Sequence, residues 1–203
     1  MILPPGRSRP GPIGQDGYYG RAMRPLKASV TIHAPRERVF EYLQDIANHP
    51  EFTDHFLVDW RLTRESSVGA GAGARFRVKA PANRFAWGDV TFAEVVPPRR
   101  IVEVGSGGKT NRVKTLGIYD LVDGPGGTTK VSYSFQSTPA TISDRISEAL
   151  GGRWWLERQQ RRALRRLRGV LEEDRSGARG GSAADGRGTR GDRPSRRVTV
   201  AGG

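Results

Sequence analysis

The sequence predicts an α+β domain in which a curved antiparallel sheet wraps around one long C-terminal helix. Two observations lead there. From Thr141 to Asp174 the apolar residues return at helical spacing. Ile142, Ile146, Ala149, Leu150, Leu156, Ala163, Leu164, Leu167 and Leu171 form one stripe, and Glu157, Arg158, Arg161, Arg162, Arg165 and Arg166 lie off it. Upstream, the patterned segments are short and strand-like, apart from two brief helical stretches. An apolar stripe must be covered, and strands are the available cover, so sheet and helix close on one another.

Charge and composition narrow the classes of function. The chain has 203 residues, a net charge of +13 and no cysteine. Without cysteine there is no disulfide framework, thiol nucleophile or thiolate metal site. No apolar run approaches the roughly 20 residues of a membrane span. The start, MILPPGRSRPGPIG, sets proline and arginine where a signal peptide needs an apolar core, so a cytoplasmic protein is expected. Residues 26–174 hold 23 Lys+Arg against 18 Asp+Glu, and the flanks carry the remaining surplus of +8. The basic excess therefore belongs mostly to the flanks, where it favours solubility and loose anion attraction.

Taken in order, residues 1–25 are rich in Gly, Pro and Arg without periodicity and are expected to be a disordered leader. Leu26 to His33 alternates as a strand, and Ala34-Pro35 turns it into a short helix over Arg36 to Leu43, with Val39, Phe40 and Leu43 on one side. Asp45 is placed to cap a second short helix over Ile46 to His49, which Pro50 is expected to stop. Phe56 to Glu65 sets Phe56, Val58, Trp60 and Leu62 on one face. The link VGAGAG lacks the lysine and following helix of a phosphate loop and is read as a turn.

Strands follow over Ala74 to Ala80, Arg84 to Val95 and Arg99 to Val104, the last two joined by Pro97-Pro98. A parity slip between Trp87 and Val90 predicts a bulge near Gly88. Asn111 to Val122 and Thr128 to Ser137 make a hairpin across DGPGG, with Val131, Tyr133 and Phe135 pointing one way. Inside the long helix, Gly151-Gly152 predicts a kink or break. The basic, glycine-rich tail, residues 175–203, is expected to be disordered.

Several of these stretches together resemble a known family. They are SVTIHAPRERVFEYLQDIANHPEF (Ser29 to Phe52), VGAGAGARFRV (Val68 to Val78), VVPPRRIVEV (Val95 to Val104), GGTTKVSYSF (Gly126 to Phe135) and a closing amphipathic helix ending in VLEE. Residues 26–174 resemble the SRPBCC, or START-related Bet v 1-like, superfamily, specifically its polyketide cyclase/dehydrase and lipid-transport group. The resemblance implies a helix-grip fold, with a seven-stranded sheet gripping the last helix and a cavity between them for apolar or aromatic ligands. It does not imply a reaction, because the superfamily holds carriers, sensors, cyclases and hydrolases.

Candidate site residues come from inward parity and chemistry. Trp60, Phe76, Trp87, Tyr119, Tyr133, Phe135 and Trp154 are large rings able to line a pocket, against the plainer reading that they are core. The helix turn at Leu150, Arg153 and Trp154 is expected to border the cavity, with Arg153 available to a ligand oxygen or carboxylate. Trp154 and Trp155 cannot both face inward. Asp89 and Arg112 read as surface ions. His33, His49 and His55 lack metal-ligand spacing and read as structural or solvated, so no metal and no cofactor is assigned.

Three functions remain. The first is binding of a small hydrophobic or aromatic, polyketide- or lipid-like molecule. The second is an aromatase/cyclase or dehydrase working by general acid-base chemistry. The third is an anion-seeking adaptor that uses the basic helix face and flanks. If the basic surplus is a property of the flanks, the full chain binds nucleic acid weakly with a steep salt dependence, and a fragment of residues 26–174 hardly binds it. Filter binding across a salt series checks this; salt-resistant, sequence-selective binding by the fragment would revive the adaptor.

Overall fold

Strand parity and turn chemistry lay down one sheet. The computed structural model describes residues 24–80, 84–108, 113–138 and 152–182. In chain order the elements are β1 (Leu26–Ile32), α1 (Arg36–Leu43), α2 (His49–Thr53), β2 (Leu57–Leu62), β3 (Gly73–Ala80), β4 (Arg84–Val96), β5 (Arg100–Gly108), β6 (Val113–Gly124), β7 (Thr128–Thr138) and α3 (Arg153–Ser182). The strands form one seven-stranded sheet in the order β1-β7-β6-β5-β4-β3-β2. Every pairing is antiparallel. Strands β2 to β7 meander by hairpins, and β1 returns to pair with β7, as the helix-grip expectation requires.

Helix α3 supplies the other half of the core. Ala163, Leu164, Leu167 and Leu171 are buried in one cluster with Ile32, Ile101, Leu121 and Val131 from the sheet and Val39, Phe40 and Leu43 from α1. Their spacing is the i, i+3/i+4 repeat read from the sequence. The helix is also tied at its start and again at Glu172. The Arg153 guanidinium donates to the carbonyls of Arg24 (2.5 Å) and Pro25 (3.3 Å), and Glu172 Oε1 accepts from the His33 backbone N–H (2.9 Å). Between them Arg166 pairs with Asp54 and donates to the Glu51 carbonyl (3.2 Å), fastening α3 to α2.

Three local expectations are corrected. Pro50 does not stop a helix. A 3-10 turn over Ile46–Asn48, capped by Asp45 through the Ala47 N–H (3.0 Å), gives way to α2, which has Pro50 in its first turn. A proline there forfeits no intrahelical hydrogen bond. The bulge expected near Gly88 is absent, since β3 and β4 pair regularly through it. Register shifts fall instead between Phe92 and Glu94 and between Val58 and Arg61, where Asp59 takes a positive φ of 56°. The second shift breaks the parity of β2 and leaves Leu62, expected inward, 48% exposed. Finally, α3 runs to Ser182, past the helix end read at Asp174. The expectations for residues 1–23, Arg112, the Thr141 to Gly151 stretch with Leu150, and 183–203 lie outside the described residues.

Leu167 is fully buried at the centre of the α3 stripe. Leu167→Ala is expected to lower stability by about 2–5 kcal/mol, read from urea unfolding. A loss below about 1 kcal/mol would mean that the helix does not close the core.

Candidate functional site

A glycine in the middle of β6 makes the site possible. Glu103 faces inward with Ile101 on β5, opposite Phe92 of β4 on one side and Gly117 of β6 on the other. A Cβ on Gly117 would come within 2.6 Å of both Glu103 Oε2 and the Tyr133 hydroxyl. The missing side chain is therefore the space in which these two groups meet. There the Tyr133 hydroxyl donates to Glu103 Oε2 at 3.1 Å. Tyr133 of β7 is paired in register with Tyr119 of β6, and their rings lie 4.4 Å apart.

The fourth polar member comes from α2. His49 is 3% exposed, and its Nε2 lies 2.9 Å from the Leu43 carbonyl. A carbonyl only accepts, so Nε2 carries the proton and Nδ1 carries the lone pair. Nδ1 faces Glu103 Oε1 at 3.9 Å. Aromatic rings enclose the imidazole: Phe52 at 5.1 Å, Phe92 at 5.6 Å, Tyr119 at 6.1 Å and Trp60 at 6.3 Å between centroids.

Burial sets the protonation states. It drives His49 down from 6.5 to about 4, although the Leu43 hydrogen bond and the Asp45 charge oppose it. It drives Glu103 up to about 7 against the opposing hydrogen bond from Tyr133. The hydroxyls of Tyr119 and Tyr133 are held well above the ordinary tyrosine range, first by burial and then by Glu103. In mildly acidic solution the folded group is a neutral carboxyl beside a neutral imidazole. An acid and a base thus occupy one apolar-walled space.

The residues singled out from the sequence divide into three sets. Tyr119 and Tyr133 are at the centre, with Trp60 beside His49 and Phe76 tilted against Trp60 at 4.7 Å between centroids. Phe135 lines a shallow recess with Leu26, Ala28, Tyr133, Glu157 and Gln160, between β1, β7 and the first turns of α3. The facing expected of Trp87 and Trp154 is corrected. Trp87 is 41% exposed on the outer face of the sheet, with the Arg75 and Arg77 guanidiniums over its ring at 5.1 and 5.9 Å. Trp154 is 68% exposed, because stepping back by fours from Leu171, Leu167 and Ala163 passes through Trp155, which meets Phe56 at 6.2 Å. Arg153 is engaged with backbone carbonyls rather than aimed inward. Leu150 lies outside the described residues.

Glu103 was missed, and His49 had been read only as structural or solvated. Glu103 stands at the parity of Ile101 in an apolar strand, and Gly117 stands inside another strand. An inward carboxylate beside an interior glycine was the available signal. Of the other histidines, His33 is exposed and bonded to Glu172 (2.9 Å), and His55 is half-buried near the Gln159 carbonyl (3.3 Å).

This architecture matches known proteins. The family model described as "Polyketide cyclase / dehydrase and lipid transport" matches residues 23–172. The chain belongs to that family. No curated protein matches it significantly. Among solved structures it is similar to the KanY protein, with a TM-score of 0.60 and 17% identity over 73% of this chain and 97% of that one. A protein from Thermus thermophilus has a TM-score of 0.60 and 13% identity over 74% of this chain and 99% of that one. A conserved protein from Geobacillus kaustophilus has a TM-score of 0.56 and 14% identity over 74% and 96%. At such identities the likeness is one of fold, and it is the helix-grip fold read from the sequence.

Family membership leaves the polar group of this chain to be tested on its own. In the unfolded chain between about pH 4.5 and 6.5 the carboxyl is ionised and the imidazole protonated. Folding reverses both, since Glu103 titrates near 7 and His49 near 4. Proton uptake by one cancels release by the other, so the pair leaves stability flat in that window. His49→Gln exposes the Glu103 contribution alone, and stability then falls as pH rises from about 4.5 to 7. Glu103→Gln exposes the His49 contribution, and stability then falls as pH drops from about 6.5 to 4. Each slope is expected to differ from the parent's by up to about 1.4 kcal/mol per pH unit. Urea unfolding across this pH range measures it; parallel profiles for all three proteins would contradict the assigned protonation states.

Proposed function

We propose that the protein binds a small hydrophobic or aromatic molecule between its curled sheet and the first turns of α3. The observation that carries this reading is the gathering of Trp60, Phe92, Tyr119 and Tyr133 around a buried carboxyl and imidazole. A purely structural core gains little from such a group, because buried polar atoms cost free energy unless each finds a partner. The position of the group also favours binding. The buried apolar stripe of α3 spans Ala163 to Leu171, and nearer its start the inward residues Leu156, Gln159 and Gln160 are only half-buried. Ligand contacts are assigned to Trp60, Phe76, Tyr119, Tyr133 and Phe135.

A second reading, an aromatase/cyclase or dehydrase, is favoured by Glu103. A carboxyl pushed up to about 7 beside an imidazole with a free Nδ1 lone pair supplies a proton donor and acceptor near neutral pH. In that reaction Glu103 is the general acid and His49 the general base.

Native mass spectrometry of the full chain purified from its own host tests the binding reading. The expected result is a non-covalent adduct of small, defined mass that is lost on unfolding. Trp60→Ala is expected to weaken retention of the adduct while costing less than the roughly 3–5 kcal/mol of a fully packed ring, because Trp60 is only half-buried. An adduct-free parent, or full retention by the variant after a large stability loss, would make these rings ordinary core.

A further inference from the structure

The outer face of α3 carries more positive charge than a solvated helix needs. From Arg153 to Leu171 there are seven arginines and one glutamate. Four of the arginines are engaged: Arg153 with the Arg24 and Pro25 carbonyls, Arg161 with Glu157, Arg166 with Asp54 and Arg168 with Glu172. Arg158, Arg162 and Arg165 are exposed, and among the described residues none of them has a carboxylate partner. The spacing sets like charges four residues apart at Arg158/Arg162, Arg161/Arg165 and Arg162/Arg166. Such pairs destabilise a helix, whereas alternating Glu and Arg would keep it soluble and stabilise it. A polyanion lying on this face relieves the repulsion.

The shape of the face narrows the polyanion. Trp154, Arg158, Arg161, Arg165 and Arg168 are all exposed and recur in steps of four and three, so they form one straight stripe about 21 Å long. The opposite face of the helix is packed on the sheet through Ala163, Leu164, Leu167 and Leu171, so only this crest projects. A crest of that form meets a flat surface along its whole length. Trp154 stands at its end, 68% exposed, with the Arg158 guanidinium 5.9 Å above its ring. Indole rings flanked by cations prefer the boundary between lipid headgroups and acyl chains. Single-stranded nucleic acid is gripped by several rings interleaved with the cations, and this stripe has one ring, at its end.

We propose that the outer face of α3 docks the protein on an anionic lipid bilayer, with the arginines on lipid phosphates and Trp154 seated at the interface. The contact is peripheral, and no helix among the described residues is long and apolar enough to cross a membrane. The surface lies outside the sheet's concave face, so the proposal stands whether or not a ligand is bound within.

Co-sedimentation of the full chain with vesicles at about 0.15 M salt tests it. The parent is expected to bind vesicles of equal parts phosphatidylcholine and phosphatidylglycerol and not phosphatidylcholine alone. Because the flanks are also basic, two triple variants with the same net charge are compared. Arg158→Gln/Arg162→Gln/Arg165→Gln is expected to weaken binding about a hundredfold. Arg187→Gln/Arg190→Gln/Arg193→Gln, in the tail, is expected to weaken it less than about tenfold, since a charge counts only within a Debye length of the surface. All six positions carry exposed or flanking arginines and glutamine is a good helix former, so the fold is kept, as urea unfolding of each variant verifies. Brominated lipid is expected to quench part of the tryptophan fluorescence of the parent and none of that of Trp154→Phe. Equal losses in the two triple variants, equal binding to both kinds of vesicle, quenching unchanged in Trp154→Phe, or no binding overturns the proposal. Displacement from the vesicles by a single-stranded oligonucleotide or polyglutamate at equal charge concentration assigns the face to another polyanion and overturns it too.

Discussion

A single curled sheet has one concave face, and one helix must cover it. The packing of Ala163, Leu164, Leu167 and Leu171 into that face is the constraint on which the remaining structure depends. Their burial removes the apolar stripe from water and holds α3 across the sheet, with α1 and α2 closing the sides. Two tethers fix its placement, one at Arg153 on the chain entering β1 and one at Glu172 on the chain leaving it. Since a stripe of four residues is shorter than the sheet, apolar closure stops near Ala163. Beyond that point the inward side of α3 turns toward half-buried polar residues, and the sheet's own aromatic side chains fill the space.

Within that space the polar group is stabilised by mutual neutrality. An ionised Glu103 next to a protonated His49 would be a buried ion pair, whose desolvation cost exceeds what a 3.9 Å separation returns. The proton instead resides on the carboxyl, so neither residue is charged. The arrangement needs three elements in register. β6 supplies Gly117 as the gap, β7 supplies the Tyr133 hydroxyl, and α2 brings His49 in from the side. Pro50 contributes indirectly: it starts α2 at His49, so that His49 and Phe52, three residues apart, lie on one face of the helix.

Most of the architecture was legible because it depends on periodicity. Alternation in β1 and β7 gave their inward faces, and the 3.6-residue repeat gave α3. The errors fell where a local irregularity resets the phase. Asp59 adopts a left-handed conformation and turns the end of β2 outward, which no alternation rule anticipates. Trp154 and Trp155 differ by about 100° around a helix, so without the exact start of α3 the choice between them was open. Trp87 misled for another reason. Its ring lies among arginines on the outer face, where cation–π contact rather than burial accommodates it.

The site was harder to read than the fold for a physical reason. Tyr119 and Tyr133 were found because a tyrosine on an apolar face satisfies a hydrophobic pattern while carrying a hydroxyl. Glu103 and His49 violate that pattern, and a single violation looks the same as a solvent-facing residue until its neighbours across the strands are known. Register supplied that knowledge by setting Glu103 against Gly117 and next to Phe92. A carboxylate at an inward position costs several kcal/mol unless neutralised or bonded, and Glu103 meets that condition as a neutral acid that accepts a hydrogen bond from Tyr133. Such an acid can both donate and accept a hydrogen bond.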